Sequence, residues 1–352
     1  MSVAPFSVLV LSLIAFVQAP AQDQAPAQAP ALPEGATLHT TYHPNGRRAG
    51  EGPVVDGRRH GVWTMYYATS DTKRGQGVFE NYRREGVWRE FFEDGSMKNE
   101  GAFKAGKREG HWVNYHPGNV KASEGDFAAD EETGKWTFWR SNSAKSAEGS
   151  YENGLRVGDW ALFHDSGVKA REGRFVADLE DGVWLDYYPN GRKTQEGKFV
   201  LGTRVGLWTA WHASGKKMSE GRYSLGGQTG IWTKWYDNGE KEFEGEWLYG
   251  AETGPWTRWH RNGELMARGA YIAGKMDGFW VEYYDNGQKR NERTLAVGKD
   301  NGPYRAWHPN GQLAAEGQFV IGKREGHWSF WNDDGTPDEA TSGEYSNGQK
   351  KQ

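Results

Sequence analysis

The chain has 352 residues, a formal net charge of −4 and no cysteine. The absence of cysteine excludes disulfides, thiolate metal sites and a cysteine nucleophile, and the nearly balanced charge gives no sign of a nucleic-acid footprint. Glycine (49 residues) and aromatic side chains (18 Trp, 16 Tyr and 15 Phe) dominate the composition. This composition favours aromatic rings packed on glycine over the aliphatic core of a conventional two-domain enzyme.

The first elements in chain order are a short apolar run and a linker. Val8 to Val17 form an apolar segment, and Ala19-Pro20-Ala21 follows it as a small-residue cleavage pattern. Such a run is too short to span a bilayer but suits the hydrophobic region of a signal peptide. We therefore expect a signal peptide over 1–21 and a Gln/Ala/Pro-rich linker over 22–38. The protein would then be exported to the periplasm, the cell surface or the medium and would not be an integral membrane protein; a buried strand or a short core helix is the alternative for the apolar run.

From residue 39 to about 348 the chain is a tandem repeat with a period of 24 residues, after one first step of 25, and residues 349–352 form a polar tail. Tryptophan marks one position of nearly every unit, which we number 0. Glycine always stands at position −2, an aromatic residue always stands at +3, and a pair such as Asn-Gly usually stands at +6 and +7. The residues at position 0 are Trp63, Trp88, Trp112, Trp136, Trp160, Trp184, Trp208, Trp232, Trp256, Trp280, Tyr304 and Trp328.

Turn residues punctuate each unit. Asn-Gly between alternating apolar stretches is a strong hairpin signal, and the proline before it in Pro189-Asn190-Gly191 suits a type I turn. We expect three-residue loops there and a second turn of the form Gly-x-x-x-Gly, as in Gly202 to Gly206. Each unit is then two short antiparallel strands, with the position-0 and +3 rings on opposite faces. A superperiod of two units leaves a six-bladed β-propeller as the alternative fold.

The pattern Gly-x-Trp-x-x-Tyr/Trp-x-x-Asn-Gly, followed by Glu-Gly-x-Phe-x-x-Gly, resembles the MORN repeat family. Within that family it is similar to the bacterial repeat variant of YwqK-type antitoxin components. The resemblance covers residues 39 to about 348 and implies an all-β fold, an elongated single-layer antiparallel sheet of 12 to 13 tandem β-hairpin repeats. It also implies a scaffold or protein-binding role, and it is the sole basis for an alternative antitoxin or immunity role.

The repeated polar residues argue against a catalytic centre. Neighbouring histidines at position +4 stand two units apart from residue 116 onward, roughly 20 Å along such a sheet, so they cannot share one metal ion. Glu at +12 and Lys at +9 recur in most units, which indicates a charge ladder between strands rather than a single general acid or base. We therefore expect no enzyme activity, no cofactor and no metal site. The +4 histidines are His43, His116, His164, His212, His260 and His308.

The +3 aromatics are the candidate binding residues. A ribbon with aromatics on both faces cannot cover them all, and rows of exposed rings mark binding surfaces. We expect an exported, non-catalytic scaffold that binds a protein partner, with no nucleic-acid partner and at most weak membrane contact. Stacking on cell-wall glycans is the alternative function, and packing for stability alone is the alternative for any single ring. The candidates are Tyr115, Trp139, Phe163, Tyr187, Trp211, Trp235, Trp259, Tyr283, Trp307 and Trp331.

Overall fold

The computed structural model describes Leu32 and residues 34–352, which form 28 β-strands and no helix. The predicted signal peptide (1–21) and most of the predicted linker (22–38) lie outside the described residues. In the part of the chain that is described, no helix has the length and hydrophobicity needed to cross a bilayer.

The strands follow one another with short connections, two strands to each repeat. The first fourteen are β1 Thr37–Tyr42, β2 Arg48–Val55, β3 Arg58–Arg59, β4 Gly61–Tyr66, β5 Lys73–Glu80, β6 Arg83–Phe91, β7 Met97–Lys104, β8 Lys107–His116, β9 Val120–Ala128, β10 Glu131–Trp139, β11 Lys145–Glu152, β12 Leu155–Phe163, β13 Lys169–Val176 and β14 Leu179–Tyr187. The others are β15 Lys193–Val200, β16 Thr203–Trp211, β17 Lys217–Ser224, β18 Gly227–Trp235, β19 Lys241–Leu248, β20 Ala251–Trp259, β21 Leu265–Ile272, β22 Lys275–Tyr283, β23 Lys289–Ala296, β24 Lys299–Trp307, β25 Leu313–Val320, β26 Lys323–Phe330, β27 Gly343–Ser346 and β28 Gln349–Lys350.

Consecutive strands pair antiparallel, except that β3 and β4 both pair with β2, so the fold is one ribbon of successive hairpins. The short strand β3 and β4 together form the partner of β2. Within the described residues β1 pairs only with β2, and β28 pairs only with β27, so the sheet does not close. The open antiparallel sheet of tandem hairpins is confirmed and the propeller alternative is wrong. At about 4.8 Å per strand the ribbon is roughly 130 Å long, measured along the sheet.

One long edge of the ribbon, the hairpin edge, consists of the Asn-Gly loops. In the loop after β14, the Gly191 amide donates to the Tyr188 carbonyl (2.9 Å), and the Tyr188 amide donates to the Arg192 carbonyl (2.8 Å). Gly191 has φ 81°, the left-handed conformation that closes a type I turn into a three-residue hairpin loop. The predicted loop type is confirmed.

The opposite long edge, the turn edge, differs from the prediction. After β15 the connection is a two-residue turn at Leu201-Gly202, both with positive φ (45° and 80°), and Val200 pairs directly with Thr203. Gly206, which the sequence places at the end of this turn, lies inside β16 and has φ 68°. There it forms a bulge, because three residues of β16 stand opposite one residue of β15.

The register separates the two faces of the ribbon as predicted. Trp208 lies opposite Gly221, while Trp211 lies opposite Lys217 on the other face. We call the face that carries position 0 the tryptophan face. The face that carries the +3 aromatics, the +9 lysines, the +12 glutamates and the −1 residues is the lysine face.

Candidate functional site

The tryptophan face is closed by rings that lie directly on glycine. An ideal Cβ built on Gly197 would stand 2.1 Å from the Trp208 ring, so a side chain cannot occupy this place. The indole Nε1 of Trp208 donates to the carbonyl of Lys198, the residue after that glycine (3.3 Å). The sequence left open which ring covers which glycine, and the structure pairs each tryptophan with the glycine of the preceding unit. Eleven tryptophans make this indole hydrogen bond, at 2.8 to 3.3 Å.

The same rings form an edge-to-face ladder along the ribbon. Phe199 meets Trp184 at 6.4 Å and Trp208 at 5.1 Å between ring centroids, with interplanar angles of 85° and 89°. Arginines at position −4 cover the outer side of several rings, as Arg204 does over Trp208 at 4.4 Å. Edge-to-face pairs and cation–π contacts both stabilise such a stack. The tryptophan face is therefore the core of the fold, and it leaves no large apolar side chain exposed.

Two facing positions depart from this pattern together. Arg293 stands where the others have the covered glycine, and Tyr304 replaces the tryptophan that would cover it. The Arg293 guanidinium pairs with Glu282 (2.7 Å) and Asp300 (3.6 Å). The smaller ring at position 0 thus occurs together with a side chain in place of the covered glycine on the preceding strand.

The candidate +3 aromatics lie on the lysine face, and all ten are half-buried. A lysine of the preceding unit extends over the ring, as Lys193 does at 5.8 Å from the Trp211 centroid. The same ammonium pairs at 2.7 Å with Glu196, three residues further along its own strand. The sequence analysis expected a charge ladder between strands, but these lysine–glutamate pairs run within one strand. Six candidate rings carry such a lysine: Trp139, Phe163, Trp211, Trp235, Trp259 and Trp307.

The ring at position 187 uses its hydroxyl instead. Tyr187 donates to Glu172 (2.5 Å), which also accepts from Lys169 (2.6 Å). Burial and this hydrogen bond to a carboxylate raise the pKa of Tyr187 to about 12. The bonds from Lys169 and then Tyr187 lower the pKa of Glu172 below its ordinary value. These shifts follow from a satisfied structural cluster with no free acid or base in it.

The +4 histidines brace the hairpin edge. The imidazole Nε2 of His212 lies 2.9 Å from the carbonyl oxygen of Trp235, the +3 residue of the next unit. Tyr236 donates from its hydroxyl to the corresponding carbonyl of Trp259 (3.0 Å), so histidine and tyrosine serve the same bond. This structural hydrogen bond accounts for the recurrence of histidine at position +4 without a catalytic or metal-binding role. Within the described residues, no group of three or more His, Asp or Glu side chains is placed to hold a metal ion.

The exposed large apolar side chains of the repeats all lie on the lysine face or at the turn edge. Sixteen of them fall between residues 155 and 321, on the half of that face next to the turn edge. Sequence reasoning missed them, because these positions vary from unit to unit and so are not part of the repeat signature. They are Leu155, Val176, Leu179, Val183, Val200, Leu201, Leu207, Leu225, Ile231, Leu248, Tyr249, Ile272, Phe279, Val297, Val320 and Ile321.

Position −1 forms a continuous apolar line in this region, which we call the inner row. Val183, Leu207, Ile231 and Phe279 are 50 to 67% exposed. In the three units before it the same position carries His111, Lys135 and Asp159, whereas the first two units carry Val62 and Val87. Reading position −1 alone down the sequence would have found this change. The inner row is Val183, Leu207, Ile231, Pro255, Phe279 and Pro303.

The bulges open shallow grooves on the lysine face. One cavity of about 610 Å³ has Phe279 and Pro303 on its wall and Gly317 on its lining. A second, of about 570 Å³, lies in the same register near the N-terminal end, with Lys135 and Asp159 in the equivalent places. The groove is thus a property of the repeat. Its position −1 residues change from charged to apolar along the ribbon, while glutamates line both cavities.

The comparison with protein families agrees with this architecture. The family model described as the MORN repeat variant matches residues 84–105 and 300–320, two segments that begin nine periods apart. Among solved structures the chain is similar to "Crystal Structure of TcdB2-TccC3-Cdc42" (10% identity, TM-score 0.16, 86% of this chain and 17% of that chain). It is also similar to a Photorhabdus luminescens Tc holotoxin pore structure (10% identity, TM-score 0.17, 89% and 18%).

The chain spans less than one fifth of the length of these structures, and such low TM-scores carry no argument. No curated protein matches the sequence. The family match is the informative comparison, because both matched segments lie in one register and the units between them repeat the same glycine and aromatic positions. The two matched segments of this chain are therefore similar to MORN repeats.

Proposed function

We propose that this repeat protein is a non-catalytic interaction protein that binds another protein through the turn side of its lysine face. The observation that carries the proposal is the clustering of exposed apolar side chains there. Of 22 exposed large hydrophobic residues in the described chain, 16 lie in this one region. Monomeric proteins rarely expose long contiguous apolar patches, and those that occur commonly mark protein interfaces.

The polar features of the ribbon support the non-catalytic part of the proposal. The repeated glutamates accept from lysines, threonines or tyrosines, and the repeated histidines bond to main-chain carbonyls. A general acid or base must be free to exchange a proton with a substrate. These repeated groups instead have hydrogen-bond partners within the ribbon, either in their own unit or in the next one.

Photo-crosslinking in the native host tests the proposal. A benzoylphenylalanine in place of Ile231, in the inner row, should capture a protein partner on irradiation. The matched control is the same probe in place of Lys135, which occupies position −1 outside the apolar region. Equal capture at both positions, or at neither, would contradict the proposed surface.

We also propose that the protein is exported, on the strength of the apolar run and Ala-x-Ala pattern in residues 1–21. The mass of the chain purified from its native host should correspond to a protein that begins at Gln22. A full-length mass in the cytoplasmic fraction would refute export and leave the binding surface unaffected.

A further inference from the structure

We propose that the turn side of the lysine face holds an amphipathic α-helix of the partner protein, with acidic residues beside its apolar seam. The inference rests on the proposed function and specifies the partner segment. It draws on four properties of this surface: the separation of two apolar rows, their period along the ribbon, the backbone of the turns and the charge.

The inner row has a parallel companion at the turn edge, which we call the turn row. Val183 lies opposite Lys198, and Leu201 follows Lys198 by three residues, so the two rows are about 10 Å apart. An α-helix with its side chains measures about 10–12 Å across. One helix therefore fits between the rows and contacts both. The turn row is Leu201, Leu225, Tyr249, Ala273, Val297 and Ile321.

The period of both rows suits a helix laid along the ribbon. One unit advances about 9.6 Å, which is two strand spacings of about 4.8 Å. Seven residues of an α-helix advance about 10.5 Å, so a heptad repeat brings an equivalent side chain to each unit. The small mismatch accumulates to about half a unit over the six units of a row, so the best fit extends over about four heptads.

The turn row keeps an unfavourable backbone conformation without a packing benefit. Val297 and Ile321 have φ 50° and 49°, a region that β-branched residues avoid and that favours asparagine or glycine in this turn. Their side chains are 64 and 65% exposed, so no contact within the described chain accounts for them. Contact with a partner accounts for apolar residues at these turns.

The charge of this surface determines which residues beside the apolar seam of the helix are favoured. Asp277 accepts a hydrogen bond from the turn amide of Val297, and Asp181 does the same for Leu201, at 2.9 and 3.3 Å. Glu246 is the exposed acid between the rows. Six exposed cations on this surface form no ion pair within the described residues: Arg174, Lys198, Arg222, Lys275, Lys299 and Lys323. Electrostatic complementarity therefore favours an acidic partner.

The experiment measures binding of synthetic amphipathic peptides of about four heptads (~28 residues) to the full chain. One peptide has leucine on one face and glutamate beside it. The control peptide is identical except that lysine replaces each glutamate. We expect the acidic peptide to bind at least about tenfold more tightly, to gain helical circular dichroism on binding and to weaken with salt. Absence of binding, equal binding of both peptides, or binding without helix formation would overturn the inference. Anionic vesicles form a separate arm, and vesicle binding with no peptide binding would also overturn it.

Variants of the chain locate the peptide. Leu207→Ser with Phe279→Ser should weaken acidic-peptide binding at least about tenfold, whereas Val87→Ser, at an equally exposed position −1 outside the region, should leave it unchanged. Leu225→Asn should weaken binding while the melting temperature stays at or above that of the wild type, because asparagine suits the turn. An unchanged affinity in the inner-row double variant, or an equal loss in Val87→Ser, would place the peptide elsewhere and refute the site.

The two proposals fail in different ways. A crosslink from Ile231 to a protein segment that is basic or extended overturns the acidic helix and leaves the interaction surface standing. A crosslink that is equally strong from Lys135 removes the surface, and the helix inference falls with it.

Discussion

Replacing a covered glycine with alanine should cost far more stability than replacing a strand glycine that no ring covers. In Gly197→Ala the new Cβ would stand 2.1 Å from the Trp208 ring, which would have to retreat to at least the 3.4 Å of an ordinary contact. The ring is held by Phe199 at 5.1 Å and by its hydrogen bond to the Lys198 carbonyl. It cannot move without disturbing both contacts.

The magnitude follows from these contacts. Overpacking a well-packed core costs about 1–3 kcal/mol, and a strained or lost hydrogen bond adds about 1 kcal/mol. Alanine also reduces the conformational entropy of the unfolded chain, which offsets about 0.5 kcal/mol of this cost. We therefore expect Gly197→Ala to destabilise the protein by about 1.5–3.5 kcal/mol. Gly75→Ala is the matched control, because the nearest atoms to its Cβ lie at 3.4 Å and no positive φ is needed, so its effect should be near zero.

Urea unfolding and hydrogen exchange together measure this effect. Repeat arrays unfold in segments, so a global midpoint alone can miss a local loss, and exchange in β15 and β16 reports the affected units directly. The natural pair Arg293 and Tyr304 supplies a second test. In a Trp208→Tyr background, Gly197→Ala should cost at least about 1 kcal/mol less than it does in the wild type. Strictly additive effects, or equal stability of the two glycine variants, would refute the ring-on-glycine account.

Two further predictions concern the hydrogen bonds between neighbouring units and the effect of pH on stability. His212→Ala should lose about 1 kcal/mol with its bond to the Trp235 carbonyl, whereas His212→Tyr should retain wild-type stability because tyrosine makes that bond in other units; equal urea midpoints for all three chains would contradict this role. The pKa of Tyr187 is raised to about 12, so its contribution to stability is complete below about pH 10 and is lost as the pH rises towards 12. Tyr187→Phe should therefore lose less stability than the wild type in urea titrations between about pH 9 and 12, and identical alkaline profiles would refute the assignment.

The repeat fold could be predicted because every local signal agrees with it. The spacing of Trp184 and Trp208 gave the period, Asn190-Gly191 gave the hairpin loop, and strand alternation placed Trp211 on the face opposite Trp208. All three depend on neighbouring residues in the chain. Such local agreement is typical of sequences that specify one structure.

The contacts between units could not be predicted, because they depend on a turn whose length the glycine spacing wrongly suggests. Gly202 and Gly206 suggest one five-residue turn, but only Gly202 lies in it, and Gly206 forms the bulge inside β16. That bulge brings Trp208 over Gly197 and fixes which side chains share a face. The apolar inner row could not be assigned to an exposed surface before this register was known, since a slip of one residue exchanges the faces.

The two faces of the ribbon are constrained differently, and this difference links the fold to its proposed use. On the tryptophan face each ring needs a glycine beneath it and a carbonyl for its indole, so one altered position requires another, as Arg293 and Tyr304 illustrate. On the lysine face the −1 side chain contacts little and can change from Asp159 to Ile231 without altering the repeat. A stack built this way can therefore vary its surface chemistry unit by unit while its core stays the same. The concentration of apolar residues in consecutive C-terminal units is then a property of the surface and not a requirement of folding, which is the freedom that the proposed binding of a partner would use.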